Sequence, residues 1–289
     1  MIGVTGKTRI CALIGYPVEH SLSPIMHNAA FQHLGLDYIY VAFNVPPERL
    51  REAISGIRGL GICGVNVTMP HKISVIKYLD DLDEDARLAG SVNTILNRGG
   101  RLIGYTTDGL GALNALKYAG SNPLGRKVVI LGAGGASRSI SLALANYARE
   151  LVILNRTPEK AEDLVDELKR IYGSTSIRAG PLSEWVLEEE LKDADILVNA
   201  TSVGMRPNID EIPVKRELLH GNLTVFDIVY DPLETRLLRE ARSVGAKTVD
   251  GLSMLVHQGA LSFEIWTGVK APIEVMRETA LKKIMEKEH

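Results

Sequence analysis

Val128-Val129-Ile130-Leu131-Gly132-Ala133-Gly134-Gly135-Ala136-Ser137 joins an unbroken apolar run to a glycine-rich turn and the start of a helix. Consecutive branched residues of this kind read as a strand buried on both faces. Glycines in the turn let the backbone approach a pyrophosphate. The helix that follows offers it free N–H groups and a partial positive charge. This is the context that a dinucleotide fingerprint requires, although its third position is Ser137 where Gly or Ala is usual.

Further along the chain, strand candidates at 151–154, 176–178, 196–199, 225–229 and 247–249 alternate with helical patterns, one of them carried by Leu164, Val165, Leu168 and Ile171. Together with 128–131 they predict a doubly wound parallel sheet of the Rossmann type. A site selective for a free ribose places Asp or Glu about twenty residues after the fingerprint. Here Asn155-Arg156-Thr157 stands instead. Arg156 can hold a 2′-phosphate in a charge-assisted fork and Thr157 can add a hydroxyl, so NADP is the expected cofactor. Thr157 also suits an N-cap for a helix beginning at Pro158.

Toward the N-terminus, strands are expected at 9–15, 38–44 and 64–68, with helices at 24–33 and 47–57. Ser23 before Pro24 reads as an N-cap. Segments 91–97 and 101–106, on either side of Arg98-Gly99-Gly100, read as a hairpin, which makes this first sheet mixed. Residues 109–127, with Gly120-Ser121-Asn122-Pro123, read as the crossing between domains. After Gly251 the chain turns wholly helical and has no strand to add to the second sheet. The expected organisation is α/β throughout: residues 1–108 as a substrate-binding and catalytic domain, 109–255 as the nucleotide domain, and 256–289 as a helical tail returning to the first.

The 289 residues suit about two domains. Thirty-three Lys and Arg against thirty-five Asp and Glu leave a net charge of −2, too little to gather nucleic acid or an anionic membrane surface. No run approaches the ~20 apolar residues of a membrane span, and nothing near Met1 reads as a signal peptide, so a cytoplasmic protein is expected. Cys11 and Cys63 lie far apart and fit neither a disulfide framework nor a zinc site. The histidines, at 20, 27, 33, 71, 220, 257 and 289, are scattered and argue against a metal. No tyrosine is followed four residues later by lysine, so a short-chain dehydrogenase is excluded. Oligomeric state stays open, a homodimer included.

Polar residues crowd the strand and helix ends of the first domain: His20-Ser21-Leu22-Ser23-Pro24, Asn66-Val67-Thr68-Met69-Pro70-His71-Lys72, Ser91-Val92-Asn93-Thr94 and Thr106-Thr107-Asp108-Gly109. Singly each has a structural reading. Ser23 and Asp108 are sound helix caps, Lys72 after Pro70 starts a helix, and Asn93 can satisfy a turn. Their common placement at successive strand ends points to a shared cleft.

These segments resemble the shikimate dehydrogenases along nearly the whole chain. The resemblance rests on Gly15-Tyr16-Pro17 with Ser21-Leu22-Ser23-Pro24, on Asn66-Val67-Thr68 with Pro70-His71-Lys72, and on Gly90-Ser91-Val92-Asn93-Thr94. It continues through Thr107-Asp108-Gly109, the glycine turn, Asn155-Arg156-Thr157 and Asn199-Ala200-Thr201-Ser202-Val203-Gly204-Met205. It ends with Asp227-Ile228-Val229-Tyr230 and the segment from Gly251 to Gln258. The resemblance implies NADPH-dependent reduction of 3-dehydroshikimate, with Lys72 and Asp108 managing the proton. It implies that Ser21 and Ser23, with Tyr230 from the other domain, hold the substrate carboxylate. Thr68, Asn93 and Gln258 would contact ring hydroxyls. Gly132, Ala133, Gly134, Gly135, Ala136, Asn155, Arg156, Thr157, Thr201 and Gly251 would bind the cofactor. A quinate dehydrogenase using NAD, a methylenetetrahydrofolate dehydrogenase and a non-catalytic NADP sensor are the competing readings. They are disfavoured respectively by Arg156, by 5% aromatic content, and by the presence of both Lys72 and Asp108.

Overall fold

The structure is a computed structural model that describes residues 3–173 and 176–288. They group into two compact units, one running to Thr107 and resuming at Gln258, the other spanning Asp108–His257.

In the first unit β1 (Arg9–Gly15), β2 (Tyr38–Asn44), β3 (Gly64–Val67), β4 (Asp81–Leu82), β5 (Thr94–Arg98) and β6 (Arg101–Tyr105) form one sheet in the order β2-β1-β3-β5-β6-β4. β1 runs parallel to β2 and β3, and β5 runs antiparallel to β3 and β6, so the sheet is mixed. Arg98 pairs with Arg101, and the turn is Gly99-Gly100 alone, with φ of 61° and 92°. Two left-handed residues are what a tight hairpin with the sheet's twist demands. One face of the sheet buries Ile14, Val65, Val67, Ile95 and Leu102 against Leu50, Ile54 and Ile57 of helix α2 (Leu50–Gly59). α1 (Ser23–His33) begins one residue earlier than expected: Ser23 lies inside the helix and does not cap it. Its N–H instead donates to the Ser21 hydroxyl at 3.2 Å. A short α3 (Glu84–Ala89), capped by Asp83, was not legible as an element.

The second unit carries β7 (Lys127–Leu131), β8 (Glu150–Asn155), β9 (Ser176–Pro181), β10 (Ile196–Asn199), β11 (Thr224–Asp227) and β12 (Lys247–Val249). They are all parallel, in the order β12-β11-β10-β7-β8-β9. That is the doubly wound Rossmann order, whose direction reverses between β7 and β10. Residues 109–127, expected to be a crossing, hold most of α4 (Asp108–Tyr118). α5 (Gly135–Ala145), α6 (Pro158–Ile171), α7 (Glu184–Leu191) and α8 (Arg236–Ser243) complete the unit. α6 buries Ala161, Leu164, Val165 and Leu168, but Ile171 in its last turn is exposed.

α9 (Gly251–Thr267) leads to α10 (Ile273–Glu288). The part of α9 from Gln258 on belongs with the first unit. There the Trp266 ring lies where a Cβ on Gly64 would fall, at 2.2 Å, and its indole N–H donates to the Ile95 carbonyl at 3.0 Å. Only glycine at 64 lets helix and strand approach so closely.

Candidate active site

At the reversal point of the parallel sheet, Gly132 follows β7 with φ +105°, and a Cβ there would lie 3.0 Å from the Ala200 carbonyl. The turn therefore needs glycine on conformational grounds alone. Gly134 and Gly135 are different. Neither has a left-handed φ, and a Cβ on either would meet nothing within 4 Å. Glycine there leaves open space in front of the α5 N-terminus, which has no side-chain cap and no acidic residue in its first turn. Such an end suits a pyrophosphate. Ser137, the departure from the fingerprint, is fully buried and donates its hydroxyl to the Gly132 carbonyl at 2.6 Å, so it braces the turn.

A cleft of about 540 Å³ opens from this turn. Gly132, Ala133, Gly134, Asn155, Arg156 and Thr201 line it, with Leu182, Leu187, Ile212 and Pro213 as apolar wall. Gly135, Ala136, Thr157 and Gly251 are not among its lining residues. Thr157 occupies the N-cap position of α6, but its side chain makes no capping hydrogen bond. Gly251 is explained by packing, since a Cβ there would lie 2.4 Å from the Val229 carbonyl. Thr201 is positioned through a buried relay that no sequence motif announces. Its hydroxyl donates to Asn199 at 2.7 Å, the Asn199 amide donates to Asp227 at 2.9 Å, and Thr235 donates to the other Asp227 oxygen at 2.7 Å. Burial pushes the Asp227 carboxyl up to about 6 in spite of these donors. Tyr230 follows β11, its phenol raised by burial and then by Asp231.

In the first unit, chain direction gathers the other candidates at one end of the sheet. β5 starts where β3 ends, and β6 ends where β5 starts. Thr68, Asn93 and Thr107 therefore share that end with Gly15 of β1, where a Cβ would overlap the Thr68 methyl. The Asn93 amide donates to Thr107 at 2.9 Å and to Gln258 at 3.2 Å, while its oxygen accepts the Thr107 N–H at 2.8 Å. Asn66 donates to Thr94 at 3.2 Å and Ser262 at 3.0 Å, and accepts the Tyr40 hydroxyl at 2.8 Å. Ser23 bonds the Tyr40 phenol, which burial raises well above its ordinary range. Ser23, Asn93 and Gln258 thus belong to one network. Tyr40 and Ser262 are members that no sequence motif marked.

Lys72 is half-buried in a turn. The expected helix start does not form because the Lys72 carbonyl accepts the Val92 N–H at 2.8 Å, outside any helical ladder; only a 3₁₀ turn, Ile76–Tyr78, follows. Next to it, the buried His71 ring lies 2.6 Å from the Val45 carbonyl, which anchors the loop. Asp108 is buried and is the first residue of α4 rather than a cap before it. α4 lies close on α5, since a Cβ on Gly109 would be 2.2 Å from the Ser139 carbonyl. Cys11 and Cys63, distant in sequence, are brought together: their thiols hydrogen-bond, which lowers Cys63 to about 6 and raises Cys11. Among the described residues, no three His, Cys, Asp or Glu side chains gather as a metal site.

Comparison with known proteins agrees with this geometry. The profile of the shikimate dehydrogenase substrate binding domain matches residues 13–95, and that of shikimate / quinate 5-dehydrogenase matches 115–253. The shikimate 5′-dehydrogenase C-terminal domain matches 251–281. The shikimate dehydrogenase (NADP(+)) of Methanopyrus kandleri is 53% identical over 286 residues, 98% of each chain. A solved shikimate dehydrogenase in complex with NADP+ superposes with a TM-score of 0.91 at 48% identity, covering 97% of each chain. The Thermus thermophilus enzyme, in complex with NADP(H) and shikimate, gives 0.86 at 39%, covering 95% of this chain and 99% of that one.

Proposed function

This chain belongs to the shikimate dehydrogenase family, and we propose that it catalyses the reversible NADPH-dependent reduction of 3-dehydroshikimate to shikimate, with Lys72 and Asp108 managing the proton. The observation that carries the reading is the polar sheet end at which Asn93 meets Gln258 and Thr107, in a chain whose nucleotide cleft presents Arg156 in place of an acid. A polyhydroxy acid needs such a set of amide and hydroxyl groups rather than an apolar slot. The glycine turn, Asn155, Arg156 and Thr201 would hold NADPH, which would supply the hydride when bound. Lys72 hydrogen-bonds the substrate oxygen at C3 and gives it a proton as negative charge develops there. Asp108 orients the Lys72 ammonium and balances its charge. Thr68, Asn93 and Gln258 fix the ring hydroxyls, and Ser21, Ser23 and Tyr230 hold the carboxylate. Both cysteines are free thiols and, among the described residues, no helix is long and apolar enough to cross a membrane. A cytoplasmic enzyme fits these features.

The direct test is the appearance of reduced nicotinamide absorbance with shikimate and NADP+, run beside quinate and NAD+. Faster turnover with quinate and NAD+ would overturn the substrate and cofactor assignment together.

Ser21 tests the carboxylate contact. Its oxygen already accepts the Ser23 N–H, so its O–H is left to donate to an anion. Losing a hydrogen bond to a charged group costs ~1.5–3 kcal/mol, so Ser21→Ala should raise KM for shikimate roughly tenfold or more, with NADP+ affinity unchanged. An unaltered KM would leave Ser21 only its role at the start of α1.

Arg156 tests the phosphate contact. Arg156→Ala should weaken NADP+ by about one to two orders of magnitude and leave NAD+ nearly unaffected, as calorimetric titration would read. Equal weakening of both would mean that Arg156 contacts a part the two cofactors share.

A further inference from the structure

Glu184 and Lys215 also line the nucleotide cleft, and the Lys215 ammonium lies 2.7 Å from a Glu184 carboxylate oxygen. Arg156 and Lys215 are the cations among the cleft's lining residues, and Glu184 is the acid. Each has its own structural reason for being where it is. Glu184 is the first residue of α7, where a carboxylate complements the helix's partial positive charge. Lys215 precedes the 3₁₀ turn Arg216–Leu218, and its carbonyl accepts the Leu218 N–H at 3.1 Å, which fixes its backbone beside the apolar wall. Both side chains are more than half exposed, at 61% and 63%, so the pair contributes little to stability. Its consequence is electrostatic. Without Lys215, the cleft would present a bare carboxylate to any anion entering it.

We infer that Lys215 sustains selectivity for the 2′-phosphorylated cofactor by cancelling the Glu184 charge. The inference rests on the reading of this cleft as the NADP site. A 2′-phosphate adds up to two negative charges that NAD+ lacks. At physiological ionic strength, charges in a wet cleft act on one another within a screening length of about 8 Å. An unpaired Glu184 therefore weakens the phosphorylated cofactor more than the plain one. Lys215 is a positioning residue in this scheme: it acts through Glu184, while Arg156 makes the phosphate contact.

Calorimetric titration of NADP+, NAD+ and adenosine 2′,5′-bisphosphate, at low and high salt, tests this on Lys215→Ala, Glu184→Gln, the double variant and Arg156→Ala. Lys215→Ala should raise the Kd for NADP+ and the bisphosphate about 3–10-fold and that for NAD+ less than about twofold, a difference that shrinks at high salt. The double variant should return NADP+ to within about twofold of the parent, because the carboxylate it would have exposed is gone. An unchanged NADP+/NAD+ ratio in Lys215→Ala overturns the inference. So does a double variant as weak as Lys215→Ala, which would mean that the ammonium contacts the nucleotide itself. If Arg156→Ala also leaves the ratio unchanged, the reading of the cleft has failed, and the inference falls with it. Thermal melts of each variant check that folding is unaltered.

Discussion

Lys72→Ala should lower the turnover number ~10²–10⁴-fold while the Kd for NADP+ stays within about twofold of the parent. Hydride arrival at a ketone leaves negative charge on oxygen, and the barrier falls when a donor within hydrogen-bond reach neutralises it. Alanine removes that donor. The loop that carries residue 72 is held by its own backbone, through the Lys72 carbonyl to the Val92 N–H, and by the His71 ring against the Val45 carbonyl. Neither contact involves the lysine side chain, so both survive the substitution. Stopped-flow and steady-state measurement in both directions, beside a cofactor titration, reads the effect. Near-normal turnover would show that the proton comes from elsewhere.

Asp108→Asn should also cut turnover, by ~10²-fold or more, without a matching loss of stability. Asparagine keeps the shape and can still sit at the start of α4, so a role confined to the helix terminus predicts a change of only ~0.3–1 kcal/mol in stability and normal catalysis. A role in orienting and balancing Lys72 predicts the reverse. The double variant separates the two. If Asp108 works through Lys72, Lys72→Ala/Asp108→Asn should be little worse than the poorer single variant. Multiplicative losses would mean that the two act on different steps.

The parallel sheet was legible because its strands are continuous apolar runs. A strand such as Lys127–Leu131, buried along its whole length, has no other plausible state. The elements that escaped are those with few residues to carry a pattern: β4, two residues long, the six-residue α3, and α7, whose Glu-rich sequence shows little periodicity. The expected helix at Lys72 failed for a non-local reason, since its carbonyl bonds Val92, twenty positions on, instead of a neighbour. The same limit applies to the polar sheet end. Motifs marked Asn93 and Gln258, but Tyr40 and Ser262 join their network only because α9 packs on the sheet. No local signal in residues 38–44 or 259–267 announces that. The thiol pair of Cys11 and Cys63 was missed likewise, because it forms only when β1 lies beside the segment that enters β3.

The placement of Gln258, Ser262 and Trp266 bears on how the chain matures during synthesis. These residues bond Asn93, Asn66, Thr94 and the Ile95 carbonyl, and they lie 165 to 196 positions further along the chain. While translation proceeds, the first sheet emerges well before these partners, and until α9 arrives the polar groups that bond it have water in its place. The second unit ends at His257, and the core cluster on one side of its sheet is made wholly of residues between Val129 and Ala246. The usual vectorial order, N-terminal domain first, therefore cannot run to completion for the first unit, which is discontinuous in the chain. The unit that is begun first is finished only after α9 has been made, and a chain cut short at the start of α9 would lack the partners of Asn66, Asn93 and Thr94.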